Sequence, residues 1–431
     1  MPTEPGDSER NELIRSIEGF LQPILLELST APPRMGPGRP WVLPAFALWA
    51  GVLVGVVRGF NSQLDIWRLL TVSGLWNLPH YAVKDDALYT RLKDAGRDTF
   101  QILFAQVTAV LQQRLRPEHN RLGSVAAFAS GVYALDGMTL DKVSKRLPAL
   151  RGGDATHLAG KVAAVFDLRV QLWRTITFEE DAQANDKRVA RALLAGLATG
   201  SLLLADLGYF AFKWFDELTD QGYFWISRLR AKTSYEVIHV FYQQAGVIDA
   251  LVWLGKYRAD RAAHAVRLVQ VTRGGKTWAY LTNVLDPQRL SLADISQLYA
   301  RRWDIERMFN LVKTHLRLHW LWSSHITVVI HQVYAVFTVA QIILGLRAEI
   351  AERAQADVEE VSLDLMIRWL PRFAQNGQDP VQQIAERGRF AKIIRPPTRI
   401  KRELPNLSPG DYLPAPAGLA LTHAPRYAAK D

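Results

Sequence analysis

The stretch SGVYALDGMTL, residues 130–140, decides how the middle of this chain is read. Its apolar, β-rich opening predicts a strand, and Asp136 interrupts the apolar run inside it. A carboxylate inside a strand is disfavoured unless something compensates its burial, and a bound cation is one such compensation. Taken alone, an aspartate of this kind is more often a cap, turn former or salt-bridge partner than a ligand.

Downstream, KVAAVFDLRV (161–170) and QLWRTITFEE (171–180) read as two further strands joined by a tight turn. NDKRVARALLAGL has helical periodicity, and SLLLADLGYF (201–210) is a buried strand by its continuous apolar run. FKWFDELTDQG follows as a helix and YFWISRLR as a strand. The order β-β-β-α-β-α-β is that of an α/β ribonuclease H-like fold, in which an antiparallel hairpin leads into parallel strands with helices on both faces. Asp206 then falls at the carboxyl end of a buried strand, where open α/β sheets place their ligands. Asp141 lies an odd distance after Asp136 and would face the other side of a continuous strand. Asp167 and the Glu179-Glu180-Asp181 cluster read as strand-edge or turn residues.

Strand patterns continue over about 231–290 in YEVIHVFY, VIDALVWL and AVRLVQVTRGGKTWAYLTNV, with a hairpin turn at Gly274-Gly275. SSHITVVIHQVYAVFTVAQIILGLRAEIAERA reads as a long, mostly buried helix. Residues 1–125 read as a helical N-terminal DNA-binding domain. In it VKDDALYTRLKDAG would display Lys84, Arg91 and Lys93, either as a helix-turn-helix reader of the major groove or as a solvated structural face. WVLPAFALWAGVLVGVV (41–57) is the one membrane candidate; it is short and contains Pro44 and two glycines, which favours a buried helix.

Composition narrows the chemistry. The 431 residues carry 52 Lys+Arg against 42 Asp+Glu, a formal charge of +10, which favours a polyanionic partner such as nucleic acid. There is no cysteine, so disulfides, thiolate nucleophiles and cysteine-based zinc sites are excluded. A metal would be held by oxygen or imidazole, which suits Mg²⁺ or Mn²⁺. The polar start, MPTEPGDSERNE, is unlike a signal peptide, so the chain reads as cytoplasmic and without membrane contact.

A third carboxylate lies in QLYARRWDIERMFNLVK (297–313), read as one helix. At about 100° per residue, Arg302, Glu306 and Lys313 fall within roughly 60° of Tyr299, beside the apolar side of Ile305, Met308 and Val312. A glutamate so placed can reach two strand-end aspartates. An i,i+4 ion pair between Arg302 and Glu306 is the ordinary alternative.

The spacing Tyr299-(2)-Arg302-(3)-Glu306-(6)-Lys313 resembles the tyrosine–arginine–glutamate–lysine signature of DDE transposases of the insertion-sequence-four family. ALDGMTL and LLLADLGYF are similar to that family's two aspartate motifs, and the resemblance covers about residues 126–345. It implies a ribonuclease H-like catalytic domain with a β-rich insertion between the second aspartate and the glutamate. Asp136, Asp206 and Glu306 would be the catalytic triad, binding two Mg²⁺ ions with Mn²⁺ able to substitute. Arg302 and Lys313 would contact terminal phosphates, Tyr299 would position them or the helix, and Trp278 would take a flipped base.

The resemblance also implies a function. The chain would be an endonuclease and strand transferase that binds an insertion sequence's terminal inverted repeats in double-stranded DNA. It would cut the ends and join their 3′-hydroxyls to target DNA, by cut-and-paste with a hairpin intermediate as one route, in a synapsed homodimer. Residues 346–431 would be a helical, basic and Pro-rich region for dimer or DNA contacts. The basic segment 387–402, with Arg387, Arg389, Lys392, Arg395, Arg399, Lys401 and Arg402, and the residues Lys142, Lys145, Arg146 and Arg151 would track backbone phosphates. The rivals are a nuclease of the same fold that cuts without transposing and a domesticated DNA-binding protein without catalysis.

Overall fold

The computed structural model describes residues 18–19, 22, 42–115, 122–140, 160–181, 186–244, 246–255, 260–374, 379–396, 404–405 and 407–427. The expectations placed on Asp141, Lys142, Lys145, Arg146, Arg151, Arg399, Lys401 and Arg402 lie outside the described residues.

The described chain builds one nine-stranded sheet: β1 Val132–Thr139, β2 Lys161–Asp167, β3 Leu172–Glu179, β4 Leu202–Ala205, β5 Phe224–Arg228, β6 Tyr235–Gln244, β7 Val247–Leu254, β8 Val266–Arg273 and β9 Lys276–Thr282. Their spatial order is β3-β2-β1-β4-β5-β9-β8-β7-β6. β1, β2 and β3 are antiparallel neighbours, whereas β1, β4 and β5 run parallel. This is the strand order expected of a ribonuclease H-like core. The strands of the 231–290 region do not form a separate body. β9 pairs antiparallel with β5, satisfying an edge that would otherwise expose unpaired main-chain groups, and β8, β7 and β6 extend the same sheet. Gly274 and Gly275 both take positive φ, as the two-residue β8–β9 turn requires.

Eleven helices accompany the described sheet: α1 Ala45–Val57, α2 Gln63–Arg68, α3 Asp85–Asp94, α4 Thr99–Arg114, α5 Asp186–Leu194, α6 Phe212–Asp220, α7 Leu292–Arg301, α8 Trp303–Asn310, α9 Ile326–Arg353, α10 Leu363–Ala374 and α11 Pro380–Arg387. The period-two alternation of the strands sorts the core into two layers. Val132, Ala134, Val162, Ala164, Leu202, Leu204 and Ile226 pack with α1, α4, α7, α8 and α9. Tyr133, Leu135, Ala163, Val165, Leu203 and Trp225 pack on the other face with α5 and α6.

α9 runs through the first layer buried from Thr327 to Ala348, mostly apolar, with its buried His331, Gln332, Gln341 and Arg347 each hydrogen-bonded to neighbouring segments. Among the described residues it is the one helix long and apolar enough to cross a membrane, and it lies buried inside the fold. α1, from the 41–57 stretch, is likewise buried in this layer. The helices between residues 43 and 111 thus share an apolar cluster with the sheet and α9. Between the π-turn Leu69–Ser73 that ends α2 and the start of α3 lie residues 74–84, longer than the short turn of a helix-turn-helix. α2 and α3 therefore do not form that motif.

The single helix expected over 297–313 is broken. A Ser291–Asp294 capping box starts α7, which ends at Arg301. The Arg302 N–H then bonds Tyr299 O, three residues back, and α8 gives way to a π-turn, Leu311–His315. Buried partners hold the break. Arg301 pairs with Asp304 at 2.6 Å and with Glu359 at 2.6 Å, and Gln171 in the β2–β3 turn donates to Asp304. Charges this deep need such mutual satisfaction. The regular wheel consequently does not carry through to Lys313.

The Pro-rich end packs on the chain's own sheet. Leu413 N–H donates to Phe241 O on β6, Arg426 bridges Arg261, and Tyr427 Oη donates to Asp216 at 2.6 Å.

Candidate active site

β1 and β4 pair only over Val132–Leu135 and Leu202–Ala205. After that β4 turns away through a 3₁₀ turn, Leu207–Tyr209, while β1 continues against β2 to Thr139. The parallel pair therefore splits where Asp136 follows Leu135 and Asp206 follows its partner Ala205. A split at the carboxyl end of a strand is where open α/β sheets form their binding crevices. By alternation Asp136 shares the face of Val132 and Ala134. Asp206, still extended at φ −78° and ψ 170°, continues the face of Leu202 and Leu204. That face is covered by α8, whose Ile305, Met308 and Phe309 are buried and whose next polar position is Glu306.

The three carboxylates converge on one cation. Arg302 Nη2 lies 2.7 Å from Glu306 Oε1 and 4.0 Å from Asp206 Oδ1, and Nη1 lies 4.0 Å from Asp136 Oδ2. The arginine side chain is 4% exposed, against 22% for Asp136, 35% for Glu306 and 44% for Asp206, so the guanidinium forms the floor and the carboxylates the rim. Its Nε and Nη1 make no hydrogen bond among the described residues. The rings of Tyr299 and Trp303 flank it at 5.8 and 5.2 Å.

Burial raises the Asp136 carboxyl to about 6. The Gly137 N–H at 2.8 Å and the Arg302 charge oppose that rise, while Glu306 and Asp206 add to it. Three hard oxygen donors in one crevice suit Mg²⁺ or Mn²⁺ by charge and ligand type. As arranged, the guanidinium fills the space between them, and among the described residues no three Asp, Glu or His groups stand together as a ready metal site.

The other expected residues fall in varied settings. Tyr299 is buried, its Oη 3.4 Å from Ala205 O and its ring 5.2 Å from Tyr280, so it ties α7 to the end of β4. Burial pushes its hydroxyl up to about 12. Lys313 is half-buried in the π-turn. Trp278 on β9 is half-buried and packs towards the same layer as Tyr280. Lys84 and Lys93 are exposed at the two ends of α3, whereas Arg91 turns inward and donates to the Leu43 carbonyl.

Two neighbours of the site escape a sequence reading. Tyr209 is buried with its hydroxyl lacking a hydrogen-bond partner among the described residues, and burial followed by the charges of Asp136 and Asp206 raises its pKa. It stands in the LLLADLGYF motif, but only the 3₁₀ turn after Asp206 brings it back beside the two aspartates. Lys161, opposite Thr139, has its pKa lowered by burial, a drop that the nearby Asp136 carboxylate opposes.

Residues 130–339 match the family model described as "Transposase DDE domain". A similar protein, at 27% identity over 146 residues, is the "Putative transposase y4zB" of Sinorhizobium fredii (strain NBRC 101917 / NGR234). That likeness covers 32% of this chain and 40% of the relative's length. Both likenesses support a DDE transposase, and the family match spans all three carboxylates and the arginine between them.

Proposed function

We propose that this chain is a DNA transposase of the insertion-sequence-four kind, acting on the terminal inverted repeats of a mobile element. The observation that carries the reading is the convergence of Asp136, Asp206 and Glu306 from β1, the end of β4 and α8 onto one crevice. These three side chains would hold the divalent ions. Bound there, such ions activate a water or 3′-hydroxyl and stabilise the leaving oxygen.

The chain's own residues supply the rest. Arg302 balances the charge of the three carboxylates from beneath them, and its buried Nε and Nη1 would have to be uncovered before they could donate to a phosphate oxygen. Tyr299 fixes the end of α7, from which Arg302 follows, to the end of β4. Lys313 is assigned to terminal phosphates. Trp278 would have to leave its packing against the core before it could receive a flipped base. Water and then a terminal 3′-hydroxyl attack phosphorus in line, so one crevice serves cleavage and joining. Two ends require two crevices, hence a homodimer in the synapsed complex.

The test is a strand-transfer assay with paired end DNA and Mg²⁺. Asp136→Ala, Asp206→Ala and Glu306→Ala should each abolish cleavage and joining while retaining DNA binding. Cleavage by the wild type without joined product would favour a nuclease. Variants with every activity intact would favour a DNA-binding protein without catalysis.

A further inference from the structure

Phe390 is 94% exposed, far beyond the other exposed large apolar side chains among the described residues. It does not sit on a loose loop. After α11 the chain doubles back tightly: Ala391 N–H bonds Arg387 O, and the N–H groups of Ile393 and Ile394 both bond Gly388 O at 2.8 and 3.0 Å. A side chain at Gly388 would meet the Ile384 carbonyl and Ile394, so the turn has no slack there. Ile393 and Ile394 are buried, Ile394 bridges Val361, and Arg395 N–H bonds Glu360 O at 2.9 Å. Lys392 takes φ +57°, a left-handed conformation that a lysine adopts only when its surroundings enforce it.

The tip is cationic. Arg387, Arg389, Lys392 and Arg395 are all exposed around Phe390, with Glu386 the single acidic residue between 386 and 395. Arg389 also donates to Gln355 O at 3.3 Å, which holds its stem against the body. A solvated phenyl ring on a fixed turn forgoes its hydrophobic stabilisation, and its four cationic neighbours select a polyanion that also offers apolar faces. Nucleic acid has both, as phosphates and as stacked bases. The turn is anchored on residues 360–361, next to Glu359, which pairs with Arg301 beside Arg302. The tip is thus held in a fixed relation to the candidate crevice.

We propose that Phe390 is a DNA wedge. Its ring enters a base step or stacks on an unpaired base, while Arg387, Arg389, Lys392 and Arg395 hold the flanking phosphates. The proposal rests on the reading that this chain acts on DNA, and the experiment separates the two. Binding of the full chain is measured by fluorescence anisotropy on a short labelled duplex and on the same duplex with one unpaired base. Wild type should prefer the second, because its unstacking is already done. Phe390→Ala should weaken binding about 5- to 100-fold and lose that preference, with the salt slope unchanged, while Phe390→Trp retains both. Lys392→Gln should instead reduce the salt slope by about one. All three variants should melt with the wild type, since the positions are exposed.

Wild type that binds neither duplex overturns the DNA reading and the wedge with it. Wild type that binds while Phe390→Ala matches it in affinity and preference overturns the wedge alone. Unaltered DNA binding with a smaller assembly in sedimentation would assign the ring to a contact between copies, which also overturns it.

Discussion

Arg302 donates to Glu306 across 2.7 Å, and the same guanidinium stands 4.0 Å from Asp136 and from Asp206. The i,i+4 ion pair that offers an ordinary account of the helix is therefore also the centre of the acidic crevice. A divalent ion and this guanidinium claim the same space. Removing the cation should then favour the ion: Arg302→Met in DNA-free protein should bind Mn²⁺ about fivefold or more tightly, because a charge about 4 Å away contributes at least on the order of 1 kcal/mol. Electron paramagnetic resonance of free Mn²⁺ measures this directly. Unchanged or weaker affinity would mean the guanidinium does not stand in the ion's way.

The raised Asp136 carboxyl sets a pH dependence. Its folded value, about 6, lies above its unfolded value, so its contribution to stability is full below the unfolded value and lost as pH rises through about 6. Asn at this position does not titrate. The melting temperature of Asp136→Asn relative to wild type, in chelator, should therefore rise between about pH 4 and 6 and level off above about 7. A difference independent of pH would show that Asp136 is not buried as found.

Ions require the ionised carboxylate, so Mn²⁺ affinity of the wild type should fall as pH drops below about 6. Isothermal titration at a series of pH values should show the fall together with proton release. Affinity that stays flat to pH 5 would remove Asp136 from the ligand set.

Arg301 and Asp304 are both buried, and Asp304 also accepts from Gln171. Asp304→Ala leaves Arg301 with Glu359 as its remaining buried acidic partner and should destabilise by roughly 3–5 kcal/mol in urea unfolding. A loss below about 1 kcal/mol would mean the break before α8 is held by something other than this pair.

Asp216 accepts from the Ala263 and His264 N–H groups and from Tyr427. Tyr427→Phe removes one of these three bonds and should cost about 1 kcal/mol while making residues 407–427 markedly easier to cleave in limited proteolysis. Cleavage at the wild-type rate would show that the tail is held mainly by its contacts with β6 and Arg261.

Much of this architecture is local in origin and so could be read in the residues. The apolar runs around Asp136 and Asp206 gave strands, the Gly274-Gly275 pair gave a hairpin, and the continuous apolar stretch after residue 325 gave a buried helix. What sequence pattern misses here is set by partners distant in the chain. The break at Arg302 depends on Glu359 and Gln171, which no helical wheel contains. The pairing of β9 with β5 depends on which edge is open after β5, a choice made only in three dimensions. Arg91 looks like a surface cation by composition, yet the Leu43 carbonyl draws it inward. Arg302 itself was legible as a polar neighbour of Glu306. Its place beneath all three carboxylates was not, because the crevice is created where β1 and β4 split, at Asp136 and Asp206, both distant from Arg302 in the chain.

The continuity of the nine strands has a mechanical meaning. β8 is bonded to β9, β9 to β5, β5 to β4, and β4 ends at the residue before Asp206. No loop serves as the sole joint along that route. An unbroken ladder of main-chain hydrogen bonds therefore joins the strands of the Gly274-Gly275 hairpin to the edge of the acidic crevice, through three paired positions between β9 and β5.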